Sequence, residues 1–225
     1  MPKKLVYNIK SAVFIRRYFL MIDVAIVEDN KTIRLGLREF INDTKDYRCI
    51  ADYSNCESLL ANISHLKPDI ILMDIILPGI SGIEGIKKIK KINGDVKIII
   101  LTIYSENENL FEALSAGASG YLEKKTPPSQ MVKLIDEVYH EKSYMNSFIA
   151  RSVLNYFSTK KNTSDKNKAS LDRDELEILN NLVEGKSPKA IADYLEITRD
   201  DVHFHFYNIY QKLHNQFEVN SSSLA

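Results

Sequence analysis

The chain has 225 residues, 44% hydrophobic and 27% charged, with as many lysines and arginines as acids. That length allows one large domain or two small ones, and the balance excludes the disordered and fibrous classes. Neutrality hides an asymmetry, because residues 1–20 carry a net +5 (Lys3, Lys4, Lys10, Arg16, Arg17) and residues 171–225 a net −5. Cys49 and Cys56 fit neither a disulfide framework nor a zinc site, so a reducing cytoplasm is the simplest setting. Arg16, Arg17 and Asp23 interrupt what would have to be the apolar core of a secretory signal. No run approaches the roughly 18 apolar residues of a membrane span, and no membrane partner is expected. Residues 1–20 are expected to be a non-native or disordered extension, with the folded chain starting at Met21.

Val24–Val27 is a short continuous apolar run, the pattern of a strand buried on both faces of a parallel sheet. Asn30 is placed to cap a helix whose Ile33, Leu37, Phe40 and Ile41 share one face. Tyr47–Tyr53 reads as a weaker edge strand, Glu57–Leu66 as a helix, Ile70–Met73 as a second buried strand and Ile83–Ile92 as a helix. Ile98–Leu101 and Gly120–Leu122 are the fourth and fifth strands, and Met131, Leu134, Ile135 and Val138 stripe a closing helix after Pro127 and Pro128. Such alternation predicts right-handed crossovers and a doubly wound α/β domain over residues 21–142, with a five-stranded parallel sheet.

Ligands of doubly wound folds bind at the carboxyl ends of the strands. Those ends present Glu28 and Asp29, then Asp74, then Thr102, with Lys124 just past the fifth strand. Singly, an acid after a strand is an ordinary helix cap or solvated turn residue. Three acids at one point repel one another unless a cation lies between them, and an all-oxygen ligand set suits Mg²⁺. With that charge neutralised, Asp74 can attack a phosphoryl group and form an acyl phosphate. Lys124 would pair with one phosphoryl oxygen and Thr102 would donate a hydrogen bond to another.

The segments VAIVEDN (24–30), DIILMDIILPGISGIEG (69–85), IIILTIY (98–104) and GASGYLEK (117–124) resemble the receiver domain of bacterial two-component response regulators. The resemblance implies a flavodoxin-like sheet, with Asp74 as phosphoacceptor. Asp29, Asp74 and the backbone carbonyl of Ile76 would be metal ligands, and Glu28 would act mainly through water. Thr102 would be the switch hydroxyl, Tyr121 the rotating aromatic and Lys124 the phosphoryl partner; a sensor histidine kinase would be the phosphodonor. Ile103 departs from the pattern, since many receivers have a small residue after the switch hydroxyl. With Ile76 and Tyr104 it would crowd the site and slow the approach of water, or the three are ordinary packing residues.

Residues 143–170 read as a short helix, Ser147–Phe157, followed by a polar, lysine-rich flexible linker containing Lys160, Lys161, Lys166 and Lys168. Beyond it, Asp172 and Glu175 make a capping-box-like start to a helix that ends at Gly185. Pro188 opens a second helix. Thr198 and Asp201 cap a third, on which Val202, Phe206, Ile209 and Leu213 recur at i, i+4, i+7 and i+11. Residues 171–225 thus form a small all-α unit of helix-turn-helix type.

Residues 176–213 resemble the LuxR-type helix-turn-helix of the NarL/FixJ response regulators in Leu179, Gly185, Ile191, Ala192, Leu195, Val202, His205, Asn208, Ile209, Lys212 and Leu213. That implies DNA as a partner, contacts from Lys189, Arg199, His203 and Lys212, and a homodimer when phosphorylated. Asp201 and His203 stand where the family usually has Thr and Lys, and Asp200 and Asp201 would face phosphates, where counterion release needs Lys or Arg. Two readings follow: a transcription regulator phosphorylated on Asp74, or a phospho-switch whose helical domain binds a protein partner instead of DNA. A turnover enzyme is not expected, because the matched segments put no acid–base residue beside Asp74. The tail HNQFEVNSSSLA is expected to be truncated or to replace the family's fourth helix.

Overall fold

The computed structural model describes residues 21–103, 107–140, 145–160 and 170–222. The extension 1–20, Tyr104, Lys161, Lys166, Lys168 and the side chain of Lys160 lie outside the described residues. The first unit runs β1 (Ile22–Val27), α1 (Lys31–Asp43), β2 (Tyr47–Tyr53), α2 (Cys56–Leu66), β3 (Ile70–Asp74) and α3 (Gly82–Ile92). It continues with β4 (Lys97–Thr102), α4 (Asn107–Ser115), β5 (Gly120–Glu123) and α5 (Pro128–His140). All five strands are parallel, in the order β2-β1-β3-β4-β5.

Side chains of a strand alternate between faces, which explains the continuous apolar runs. Ala25, Val27, Ile71, Met73, Ile98 and Ile100 join the core under α2, α3 and α4. Val24, Ile26, Ile70, Leu72, Ile99 and Leu101 join the opposite core under α1 and α5. Edge strand β2 buries only Tyr47 fully. The expected N-cap Asn30 accepts from the amides of Thr32 and Ile33. The helix between the last two strands, to which the sequence pattern assigned no boundaries, is α4, whose Leu110, Phe111 and Leu114 are buried.

Helix α6 (Ser147–Lys160) leads to α7 (Arg173–Val183), α8 (Pro188–Leu195) and α9 (Arg199–Ser222). Val202, Phe206, Ile209 and Leu213 are fully buried, as their spacing requires. The capping box is complete, with Asp172 accepting from the Glu175 amide and Glu175 from the Asp172 amide. The third helix does not stop after Leu213: it runs on to Ser222, because neither glycine nor proline interrupts HNQFEVN. Helix α6 packs on α7 and α9 packs on α4, so one apolar cluster continues from the sheet into the helical unit.

Candidate functional site

β1 and β3 lie side by side and end in Glu28–Asp29 and Asp74, so pairing of Val27 with Met73 brings these acids together. Carboxylate oxygens of Glu28, Asp29 and Asp74 lie within 4.8 Å of one another. Glu28 is fully buried, Asp74 is nearly so and Asp29 is exposed. The Lys124 ammonium stands 2.8 Å from Asp74 Oδ2 and 2.6 Å from Glu28 Oε2. It is carried there by β5, and its amide donates to the Thr102 carbonyl at 2.7 Å. Thr102 is buried at the end of β4. The three acids and Lys124 therefore converge, with Thr102 at the end of the neighbouring strand.

Burial raises the Glu28 carboxyl above the usual carboxylate range, and the Asp74 charge adds to this against the opposing pull of Lys124. Burial alone would lower the Lys124 ammonium, but hydrogen bonds to Asp74 and Glu28 outweigh it and the group is held above its ordinary value. The pocket thus has three carboxylates and one ammonium, an all-oxygen donor set with a residual negative charge. Such a set fits a hard divalent cation and offers nothing to a soft one. Asp74 Oδ1 also accepts from the Ile76 amide at 3.3 Å, which fixes the loop whose Ile76 carbonyl is the expected further ligand.

Ile76 and Ile103 are 62% and 64% exposed, so neither is buried in the core. Tyr121 is buried and stacks on Phe148 of α6 with ring centroids 6.4 Å apart. Phe111 of α4 meets Tyr156 of α6, with ring centroids 4.7 Å apart. The apolar spacing of the Ser147–Phe157 helix includes Phe148 but does not reveal its contact with Tyr121, because that partner is not local. The sequence reading missed Gly82: a Cβ there would lie 2.1 Å from the Asp74 carbonyl, so only glycine lets α3 start this close to β3. Its place in the GISGIEG turn was the available signal.

In the helical unit, Lys189 and Arg199 are exposed and His203 is half-buried. Lys212 is committed elsewhere, at 2.6 Å from Glu175 Oε2 and 3.5 Å from Asp172 Oδ2. Glu175 is fully buried and holds this ammonium, so its pull competes with any phosphate contact by Lys212, whose side chain remains 27% exposed. Asp201 is a cap: its carboxylate accepts from the Thr198 amide at 2.9 Å, and its own amide donates to Thr198 Oγ1 at 3.1 Å. The outward face of the first turns of α9 also carries Phe204 and Tyr207, 60% and 54% exposed.

A doubly wound sheet with three acids, a hydroxyl and a lysine at the carboxyl ends of its strands defines a receiver, and the comparisons with known proteins agree. The family model described as response regulator receiver domain matches residues 24–136. That described as bacterial regulatory proteins, luxR family, matches residues 169–221. Response regulator UvrY of Escherichia coli K12 is 32% identical over 206 residues, covering 91% of this chain and 94% of that protein. A crystal structure of a LuxR-family two-component response regulator from Aurantimonas superposes with TM-score 0.56 at 28% identity, over 60% of this chain and 96% of that one. RcsB of Salmonella typhimurium superposes with TM-score 0.57 at 20% identity, over 89% and 100% of the two chains. RcsB has also been solved as two dimers bound to two parallel DNAs.

The chain belongs to the NarL/FixJ family of response regulators, with a receiver domain followed by a LuxR-type output domain. It is a transcription-regulating protein, and these matches do not favour the reading in which the helical domain binds a protein instead of DNA. No described helix is long and apolar enough to cross a membrane.

Proposed function

We propose that Asp74 accepts a phosphoryl group from a sensor histidine kinase and that this controls DNA binding by the output domain. The observation that carries the reading is the Lys124 ammonium held between Asp74 and Glu28, beside three converging carboxylates. An Asp74 oxygen bonds to phosphorus while the P–N bond to the kinase histidine breaks and its electron pair returns to the imidazole. Lys124 then follows the phosphoryl oxygens and Thr102 donates to another. Asp29, Asp74, the Ile76 carbonyl and, through water, Glu28 would hold Mg²⁺, which supplies the positive charge that offsets the acids and the incoming phosphoryl oxygens. Incubation with acetyl phosphate and Mg²⁺ is expected to raise the intact mass by one phosphoryl group and to do nothing in EDTA. A gain that survives EDTA would end the magnesium reading.

Ile103, next to Thr102 in the chain, and Ile76, two residues after Asp74, are exposed, and side chains so placed would form an apolar rim that slows the approach of water to Asp74. Ile103→Ala should shorten the lifetime of the phosphorylated receiver by about threefold to tenfold, on the order of 1 kcal/mol of barrier. An unchanged decay rate in that variant removes the rim from the mechanism.

The switch would pass from Thr102 to Tyr121 and, through its stack on Phe148, to α6, with a phosphorylated homodimer as the DNA-binding form. The second helix of a helix-turn-helix enters the major groove with its first turns. There α9 offers Phe204 and Tyr207 beside Arg199 and His203. Among base edges in the major groove, the thymine methyl is the apolar feature, so an A·T-rich site suits this face. Phe204→Ala and replacement of thymine by deoxyuracil in the site should each weaken binding, the lost methyl by about 1 kcal/mol, and the two losses should not add. Arg199→Ala should flatten the salt dependence. Additive losses from Phe204→Ala and deoxyuracil would show that the two do not meet.

A further inference from the structure

Arg34 is on α1, one turn beyond the cap Asn30, with its amide bonded to the Asn30 carbonyl at 2.9 Å. Its guanidinium does not reach for the acidic side chains next to it. Nη1 donates to the main-chain carbonyl of Glu28 at 2.6 Å and to that of Asp29 at 3.1 Å. Nε donates to Asp52 Oδ1 at 3.1 Å, and Arg38 holds the other Asp52 oxygen at 3.3 Å. The Arg34 side chain is 15% exposed and that of Asp52 21%, so the anchor from β2 is largely shielded from water.

We infer that Arg34 is a positioning residue for the metal site. It ties the main chain of the two acids at the end of β1 to β2, so that their carboxylates stay converged on Asp74. The inference rests on the reading of Glu28, Asp29 and Asp74 as the magnesium site. Without a cation, three carboxylates within 4.8 Å push apart, and exposed Asp29 is the one with room to leave. A planar guanidinium with several donors in a fixed fork can hold two consecutive carbonyls and a carboxylate together, a geometry that the compact ammonium of a lysine does not reproduce. Partners that orient ligands without touching the metal affect affinity by about 10–100-fold.

Two effects of Arg34 on a bound cation have opposite signs. As a positive charge it repels the ion, which its pairing with Asp52 reduces, whereas as a clamp it preorganises the ligands. The sign of the change on substitution therefore decides between them. Binding of Mn²⁺ to the full chain, followed by the electron paramagnetic resonance signal of the free ion with Mg²⁺ as competitor, reads the affinity without any phosphorylation. Arg34→Ala is expected to weaken Mn²⁺ binding by about tenfold. Arg34→Lys, which keeps the charge and loses the fork, should weaken it at least as much. Asp52→Asn, which leaves Arg34 and the acidic loop in place, should move the constant in the same direction by less, and it keeps the test alive if Arg34→Ala fails to fold. Tighter or unchanged binding in the folded variants, with only a lower melting temperature, overturns the inference and leaves Arg34 a structural residue. A wild-type chain that binds no Mn²⁺ removes the magnesium site itself, and the positioning role with it.

Discussion

Asp74→Asn is expected to take up no phosphoryl group from acetyl phosphate or from a kinase, with the intact mass unchanged where the wild type gains one group. The amide keeps one carbonyl oxygen, which can still accept from Lys124 while the longer bond from the Ile76 amide to the other oxygen is lost, so the fold should persist. It lacks the charge and nucleophilicity to attack phosphorus. Stability provides a second readout. A ligand at ten times its Kd stabilises the native state by about 1.4 kcal/mol. Mg²⁺ should therefore raise the melting temperature of the wild type, and much less that of a variant with one carboxylate fewer. Residual phosphorylation of Asp74→Asn would move the acceptor to another residue.

Lys124→Met is expected to have the largest effect on folding among single changes at the site. It leaves Glu28, fully buried, and Asp74 without the ammonium that they share at 2.6 and 2.8 Å. Removing one partner of a buried pair costs about 3–5 kcal/mol. Glu28, already held above the usual carboxylate range, can take up a proton and so limit the loss to the lower end. For a chain of this size that is a fall of about 6–12 °C, measured by thermal unfolding in EDTA. Mg²⁺ should restore part of it by standing in for the lost charge. A melting temperature unchanged in EDTA would mean that water already satisfies both acids.

The central strands were legible because a strand covered on both faces has no polar positions, and Ile70–Met73 and Ile98–Leu101 look like nothing else at that length. The acidic pocket was legible for a related reason: Glu28, Asp29, Asp74 and Thr102 follow such runs directly, so the fold class alone puts them on one edge. What escaped is held by contacts that leave no local trace. Arg34 bonds main-chain carbonyls, which every residue has. Lys212 looked like a surface cation because its partner, Glu175, lies 37 residues earlier and shows its burial only in three dimensions. The exposure of Ile103 escaped because a residue just past a buried strand can turn either way, and apolar type alone does not say which.

The Glu175–Lys212 pair also bears on how the chain is made. Every strand of the receiver and its closing helix α5 precede Glu175, so that domain holds all its own core residues before the output domain is complete. The ion pair joins the first helix of the output domain to its last one. Until Lys212 leaves the ribosome, burying Glu175 would strand a charge, and α7 has to keep it in water. With the receiver made first, the output domain can bury Glu175 in a paired state only once the helix that carries Lys212 has arrived.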